Sequence, residues 1–343
     1  MKKFYTFMAF IILISSAYAQ QEAEQLLKAI VKVKSTIPNE ARTAGVLGTT
    51  REGNGVLIDA EGHILTIGYL ILEAVDIEVV DQEGQKIRAR YIGYDHKTGF
   101  GLIRADKALN ITPIQLGQSS DIQAGDPVLV IGHGGVDSVQ GVRVVFRGEF
   151  TGYWEYLLEN AIYTTPPYVD YGGAALIGRD GKLLGIGSIF TRKTVADLGT
   201  VPCNMFVPID LLRPILKQLI ATSRSGEPSQ PWLGLQIDEV HGRLVVLRVT
   251  SGGPAEKAGL GSGDIVLKVG KKAVRGLADF YRKVWALGKA GVEVPIAVLQ
   301  GIEIRDIVVR SGDRDQYFRI RPNKRLLLNT FLHSDKREPR RFT

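Results

Sequence analysis

Few residues in this chain are suited to bond-making chemistry, and their types and spacing restrict what they can do. There is one cysteine, Cys203, and there are five scattered histidines. Metal sites of the zinc type need Cys and His ligands at short, recurring spacings. No such spacing is present, so the sequence predicts no metal and no cofactor. A catalytic Cys203 would need an imidazole partner to generate its thiolate; the competing reading is a small apolar residue buried in a core. A lone thiol cannot cross-link its own chain, so stability must come from packed cores. His63, His96 and His133 remain as candidate bases, and Asp170 stands beside Tyr171 as a candidate acceptor.

The elements that must position these residues begin after an export signal. Lys2 and Lys3 precede a nearly continuous apolar run from Phe4 to Ile14, and Ser15 to Ala19 supplies small residues ending in Ala-Tyr-Ala. This pattern predicts a secretory signal peptide over 1–19, cleaved after Ala19, and a periplasmic mature protein. The apolar run falls short of the about 20 residues that a membrane span requires. The formal charge of +7 is unevenly placed: Lys2 and Lys3 carry two, and nine Lys/Arg against four Asp/Glu put +5 beyond residue 312. The body between is neutral, which argues against nucleic acid as a partner.

Between Gly45 and Phe206 short β-type runs alternate with Gly, Asp and Asn, as in Gly55–Asp59, His63–Thr66, Ile77–Val80, Pro127–Ile131 and Lys182–Ile186. Frequent short strands with turn signals between them predict a mostly β architecture, a barrel or sandwich. The 208–220 stretch reads as a closing helix, and the polar, Gly/Pro/Ser-rich 222–231 stretch as a linker. A second module follows, with strands over 244–249, 264–269, 292–299 and 304–309, a short helix at 254–258 and a longer one from Leu277 to Leu287.

Several segments, in order, resemble the HtrA/DegP proteases. Gly53-Asn54-Gly55-Val56-Leu57-Ile58-Asp59 with Glu61-Gly62-His63-Ile64-Leu65-Thr66 resembles that family's block leading to the catalytic histidine. Residues 95–103 resemble the strand carrying its aspartate, and 116–132 resemble its L-G-x-S…A-I-G segment. Tyr171-Gly172-Gly173-Ala174-Ala175-Leu176 is similar to the stretch that holds the nucleophile. In the second module, Pro231-Trp232-Leu233-Gly234-Leu235 and Gly253 to Val266 resemble an HtrA-type PDZ domain. The resemblance implies a chymotrypsin/trypsin-like double β-barrel followed by an α+β PDZ domain. The expected boundaries are 20–222 for the protease-like domain, 223–231 for the linker, 232–312 for the PDZ domain and 313–343 for a basic, flexible tail.

Serine-protease chemistry requires a serine oxygen, a histidine to take its proton and an aspartate to hold the imidazole. Carried over position by position, the histidine is Tyr69, the aspartate Gly99 and the serine Tyr171, and the oxyanion glycine two residues earlier is Val169. A phenol with a reference pKa of about 10 is a poor base at neutral pH, glycine offers no acceptor, and a β-branched residue resists positive φ. Losing the triad alone costs on the order of a million-fold in a protease of unrelated fold that uses the same chemistry. The expectation is a pseudoprotease without catalytic residues; the alternative is an active envelope endopeptidase whose working residues are misaligned or rebuilt.

A PDZ domain binds an extended peptide as an added strand and holds its terminal carboxylate in a backbone nest. The resemblance places that nest at Leu233, Gly234 and Leu235 beside Trp232, with Phe280 and Val284 as the helical wall, although Tyr281 and Trp285 form an equally spaced face. Tyr153, Trp154, Tyr156, Tyr163, Tyr168 and Tyr171 form an aromatic-rich region that reads either as core or as a surface for apolar peptide. The expected partners are peptides or protein C-termini, with active HtrA relatives, a homotrimer, and contact between the basic tail and anionic lipid as further implications. The expected role is that of an adaptor, a chaperone-like factor or a regulator of active relatives.

Overall fold

The computed structural model describes residues 20–318; the signal peptide and most of the basic tail lie outside the described residues. A helix over 20–28 (α1) leads into β1 (Ile30–Thr36), whose buried Ile30, Val31 and Val33 begin the first core. With β2 (Thr50–Leu57), β3 (His63–Ile67), β4 (Asp76–Val80), β5 (Lys86–Tyr94) and β6 (Phe100–Ala105), it closes a six-stranded barrel in the order β1-β2-β3-β6-β5-β4. A short α2 (Ala44–Leu47) sits in the connection between β1 and β2. β3 is buried along its whole length, as a strand packed on both sides must be.

A second barrel is built from β7 (Pro127–Ile131), β8 (Val139–Gly152), β9 (Tyr156–Thr165), β10 (Ala175–Ile177), β11 (Leu183–Val195) and β12 (Gly199–Pro208), in the order β10-β11-β12-β9-β8-β7. β11 is buried from Leu183 to Ser188 and then alternates, because it and β12 run out of the barrel as a hairpin. α3 (Arg213–Thr222) closes the unit: Pro214 lies in its first turn, where the missing N–H has no helical partner anyway, and Ser223 ends it at φ 61°. Closure of both barrels leaves no open sheet edge in either.

The last domain is a sheet of β13 (Leu235–Val240), β14 (Arg243–Val249), β15 (Ile265–Val269), β17 (Glu293–Gln300) and β18 (Glu303–Arg310), with β16 (Lys272–Ala273) paired to β15. α4 (Pro254–Lys257) and α5 (Leu277–Trp285) pack on it. α5 buries Leu277, Phe280, Tyr281 and Val284, the i, i+3, i+4, i+7 stripe of a helix with one face on a core. β13 is an edge strand: only β14 pairs with it within the sheet. Asp313, the first residue of the expected flexible tail, instead caps α6 (Arg314–Tyr317), accepting a bond from the N–H of Asp315. Tyr317 and Phe318 then pack on Trp232, with ring centroids 4.4 and 5.9 Å away. The two barrels, the sheet with its helices and the order of elements make a mostly β protein, a trypsin-like double barrel followed by a PDZ domain.

Candidate functional site

Two places in this architecture carry the residues singled out by sequence. The first is the crevice between the barrels. Tyr69 lies on the helical turn that follows β3, Gly99 immediately before β6, and Tyr171 in the connection from β9 to β10. The fold therefore brings two segments of the first barrel to one segment of the second. Tyr69 spans them: its hydroxyl donates to the Ser188 carbonyl of β11 at 2.9 Å. Burial, with Tyr171 nearby, pushes the Tyr69 phenol far above its ordinary value, so it stays protonated and holds that bond as a donor. Gly99 has φ +84°, and its N–H donates to the Asp95 carbonyl. A β-carbon there would lie 3.0 Å from the Tyr156 hydroxyl, which itself donates to the Thr98 carbonyl.

The loop that carries Val169 and Tyr171 is fixed from the first barrel by Asn54. Its amide donates to the carbonyls of Asp170 (2.7 Å) and Gly172 (3.2 Å), its backbone N–H also meets Gly172 O, and its Oδ1 accepts the N–H of His133. Gly173 follows at φ +75° so closely that a β-carbon would sit 1.9 Å from the Asn54 carbonyl oxygen. Val169 is 87% exposed and does not share that positive φ. Asn54 was not singled out by sequence; the signal was its place between two glycines, each too tightly packed to accept a β-carbon.

The histidines serve elsewhere. His63 Nδ1 pairs with Asp59 Oδ2 across the tight turn between β2 and β3. Glu61 completes a group whose ligand atoms lie within 4.8 Å, but the turn's own bonds already engage Asp59 and His63. His133 Nε2 meets the Asp81 carbonyl, and His96 Nε2 meets Asp315 Oδ1 at 3.1 Å, its ring against Tyr94. Each of these ring nitrogens faces a carboxylate or a carbonyl rather than a hydroxyl or thiol. Cys203 is fully buried in β12; its Sγ faces the Thr191 carbonyl, and burial pushes the thiol up to about 11. Tyr163 is likewise core, and of the aromatic-rich group Tyr153 is the exposed member, at 44%.

The second place is the PDZ loop. Trp232 is tied by its backbone to Gly312 in both directions, and the chain then turns through Gly234 at φ +78°. That left-handed residue lets the N–H groups of Leu233, Gly234 and Leu235 converge on one point. They meet the Glu155 carboxylate, which reaches across from the β8–β9 connection: Leu233 N to Oε2 at 2.9 Å, and Gly234 N and Leu235 N to Oε1 at 2.7 and 2.9 Å. Burial pushes the Glu155 carboxyl up from its ordinary value, while these donors and the Arg314 guanidinium pull it down. Leu233 and Leu235 are buried in the PDZ core, as are Phe280 and Val284. The α5 side chain that reaches the inserted connection by a hydrogen bond is Tyr281, whose hydroxyl donates to Gly152 O and accepts from Glu155 N.

Comparison with known proteins agrees with this architecture. Residues 53–186 match the trypsin-like peptidase domain family and residues 231–310 the PDZ domain family. A curated relative from Pseudomonas fulva (strain 12-X), a probable periplasmic serine endoprotease DegP-like, is 29% identical over 298 residues, covering 81% of this chain and 60% of the relative. A probable periplasmic serine protease do/HhoA-like from Haemophilus influenzae is 26% identical over 275 residues, 75% of this chain and 57% of its own. This chain thus spans about 60% of the length of such relatives. Among solved structures, the HtrA-type protease AlgW with a decapeptide superposes with TM-score 0.52 at 21% identity, covering 85% of this chain and 98% of that one. The serine endoprotease from Yersinia pestis gives TM-score 0.51 at 22% identity, with 86% and 98% covered. The chain is a trypsin-like peptidase domain joined to one PDZ domain, with DegP/HtrA-type homologues.

Proposed function

We infer that this protein binds polypeptide without cutting it, gripping extended segments through its PDZ loop as an adaptor, a chaperone-like factor or a regulator of active relatives. The observation that carries the reading is the convergence of three consecutive N–H groups, Leu233 to Leu235, on a carboxylate. That is the recognition chemistry a peptide C-terminus requires, and the HtrA-type protease AlgW was solved with a decapeptide. The crevice supports the non-catalytic half of the reading. Tyr69 holds a donor where a proton acceptor is needed, Gly99 offers no carboxylate, and Tyr171 brings a phenol rather than a serine. Oxyanion stabilisation depends on N–H donors held ready for the developing charge, and Val169 replaces the glycine that would help aim them. The chain would be exported by its first 19 residues and work in the periplasm, the compartment in the names of its curated relatives.

The reading predicts that a fluorescent peptide with a free apolar C-terminus binds the mature protein and that its C-terminal amide binds at least about tenfold more weakly, because charge-assisted hydrogen bonds to the nest are lost. Fluorescence anisotropy measures both. Equal binding of acid and amide would remove the nest from the account.

A further inference from the structure

The carboxylate in the PDZ nest belongs to the protein itself, and its surroundings reproduce a bound peptide feature by feature. Glu155 sits 78 to 80 residues from the loop it fills, is only 6% exposed, and adopts φ +58°, a conformation uncommon for an L residue. Both carboxylate oxygens accept from the loop. Two residues earlier, the Tyr153 carbonyl accepts from Ile237 N on β13, at 3.0 Å. Residues 153–155 form a turn rather than an added strand, so this is a single bond to the strand edge, but β13 is the edge strand that an added peptide would pair with. From the helix side, Tyr281 bonds Gly152 O and Glu155 N, and Leu157 packs among the PDZ core residues. Arg314 Nη1 reaches the Glu155 carbonyl from beyond the sheet. Strand edge, nest and helix wall are all engaged by the connection between β8 and β9.

We propose that residues 153–155 are a built-in ligand of the PDZ groove, with Glu155 standing in for a peptide C-terminus, so that any external C-terminus gains the groove only by displacing it. This deepens the polypeptide-binding reading and rests on it for the external ligand. The built-in ligand reduces the fraction of molecules with an open groove and weakens apparent affinity by that fraction.

Two variants of the full mature protein test this. Glu155→Gly removes the carboxylate and suits the positive φ, so the backbone turn is preserved; Glu155→Gln keeps the shape and removes the charge. Hydrogen exchange over 232–238 reads internal occupancy with no peptide present, and anisotropy with the free-acid peptide reads competition. The expected result is at least about tenfold faster exchange at 233–235 and at least about tenfold tighter peptide binding in Glu155→Gly, with Glu155→Gln between it and wild type. Unchanged exchange in both variants overturns the proposal, whatever the peptide does. Faster exchange with peptide affinity equal in all three proteins also overturns it, since nothing was then displaced. Faster exchange with no peptide bound by any of them upholds the internal ligand and overturns the polypeptide-binding reading instead.

Discussion

At the residue scale, the crevice positions Tyr69 and Gly99 are committed to bonds of their own. Tyr69 donates to Ser188 O, and desolvation raises its half-buried phenol above the ordinary value, so it stays protonated near neutral pH. Gly99 is a structural position: its φ of +84° strains any L side chain, and a β-carbon would press on the Tyr156 hydroxyl at 3.0 Å. Left-handed backbone costs an L-residue about 1–2 kcal/mol, and the 3.0 Å contact adds to that. Gly99→Ala should therefore lower stability by about 1–2 kcal/mol or more, read as a lower urea midpoint at constant slope. A midpoint equal to wild type would show that the turn tolerates a side chain.

At the element scale, the two barrels meet at the site through β2. Asn54 donates twice to the 170–172 loop and accepts once from the turn after β7. Asn54→Ala leaves the part-buried His133 N–H and the Asp170 carbonyl without that partner, while Gly172 O keeps the backbone N–H of residue 54, and each unsatisfied group costs roughly 1–3 kcal/mol. A loss of roughly 2–4 kcal/mol is expected in urea unfolding, and a loss below about 0.5 kcal/mol would contradict the role given to Asn54. Much of this was legible in the sequence. The Gly53–Asp59 and Glu61–Thr66 runs place β2 and β3, and the 277, 280, 281, 284 spacing places α5 on a core. The two faces of α5 could not be ranked from sequence, because both are apolar; in the fold Phe280, Val284 and Tyr281 are buried and Trp285 partly so, and what separates the faces is Tyr281's hydroxyl, which finds partners 126 and 129 residues away. Glu155 was invisible for the same reason. Its hydrogen-bond acceptors and donors lie in another domain, and locally it reads as one carboxylate inside the aromatic run Tyr153 to Tyr156.

At the scale of the whole molecule, the contacts between the barrels and the PDZ domain are unequal. Arg282 bridges Glu149 and Glu159, but all three side chains are 40% exposed or more, and such pairs contribute at most about 1 kcal/mol. The Glu155 carboxylate with its three donors, and the Tyr281 bonds, are by contrast buried. On the reading proposed above, the PDZ loop is filled by the chain's own Glu155, beside a crevice where Tyr69 and Asn54 bond across the two barrels. The most direct measurement is intact-mass spectrometry of an unfolded protein after prolonged incubation with the mature chain, with a serine-directed fluorophosphonate probe in a parallel sample. The account predicts that the unfolded protein is recovered at full length and that no serine is labelled. Fragments that accumulate with time and disappear when a labelled serine is blocked would contradict it.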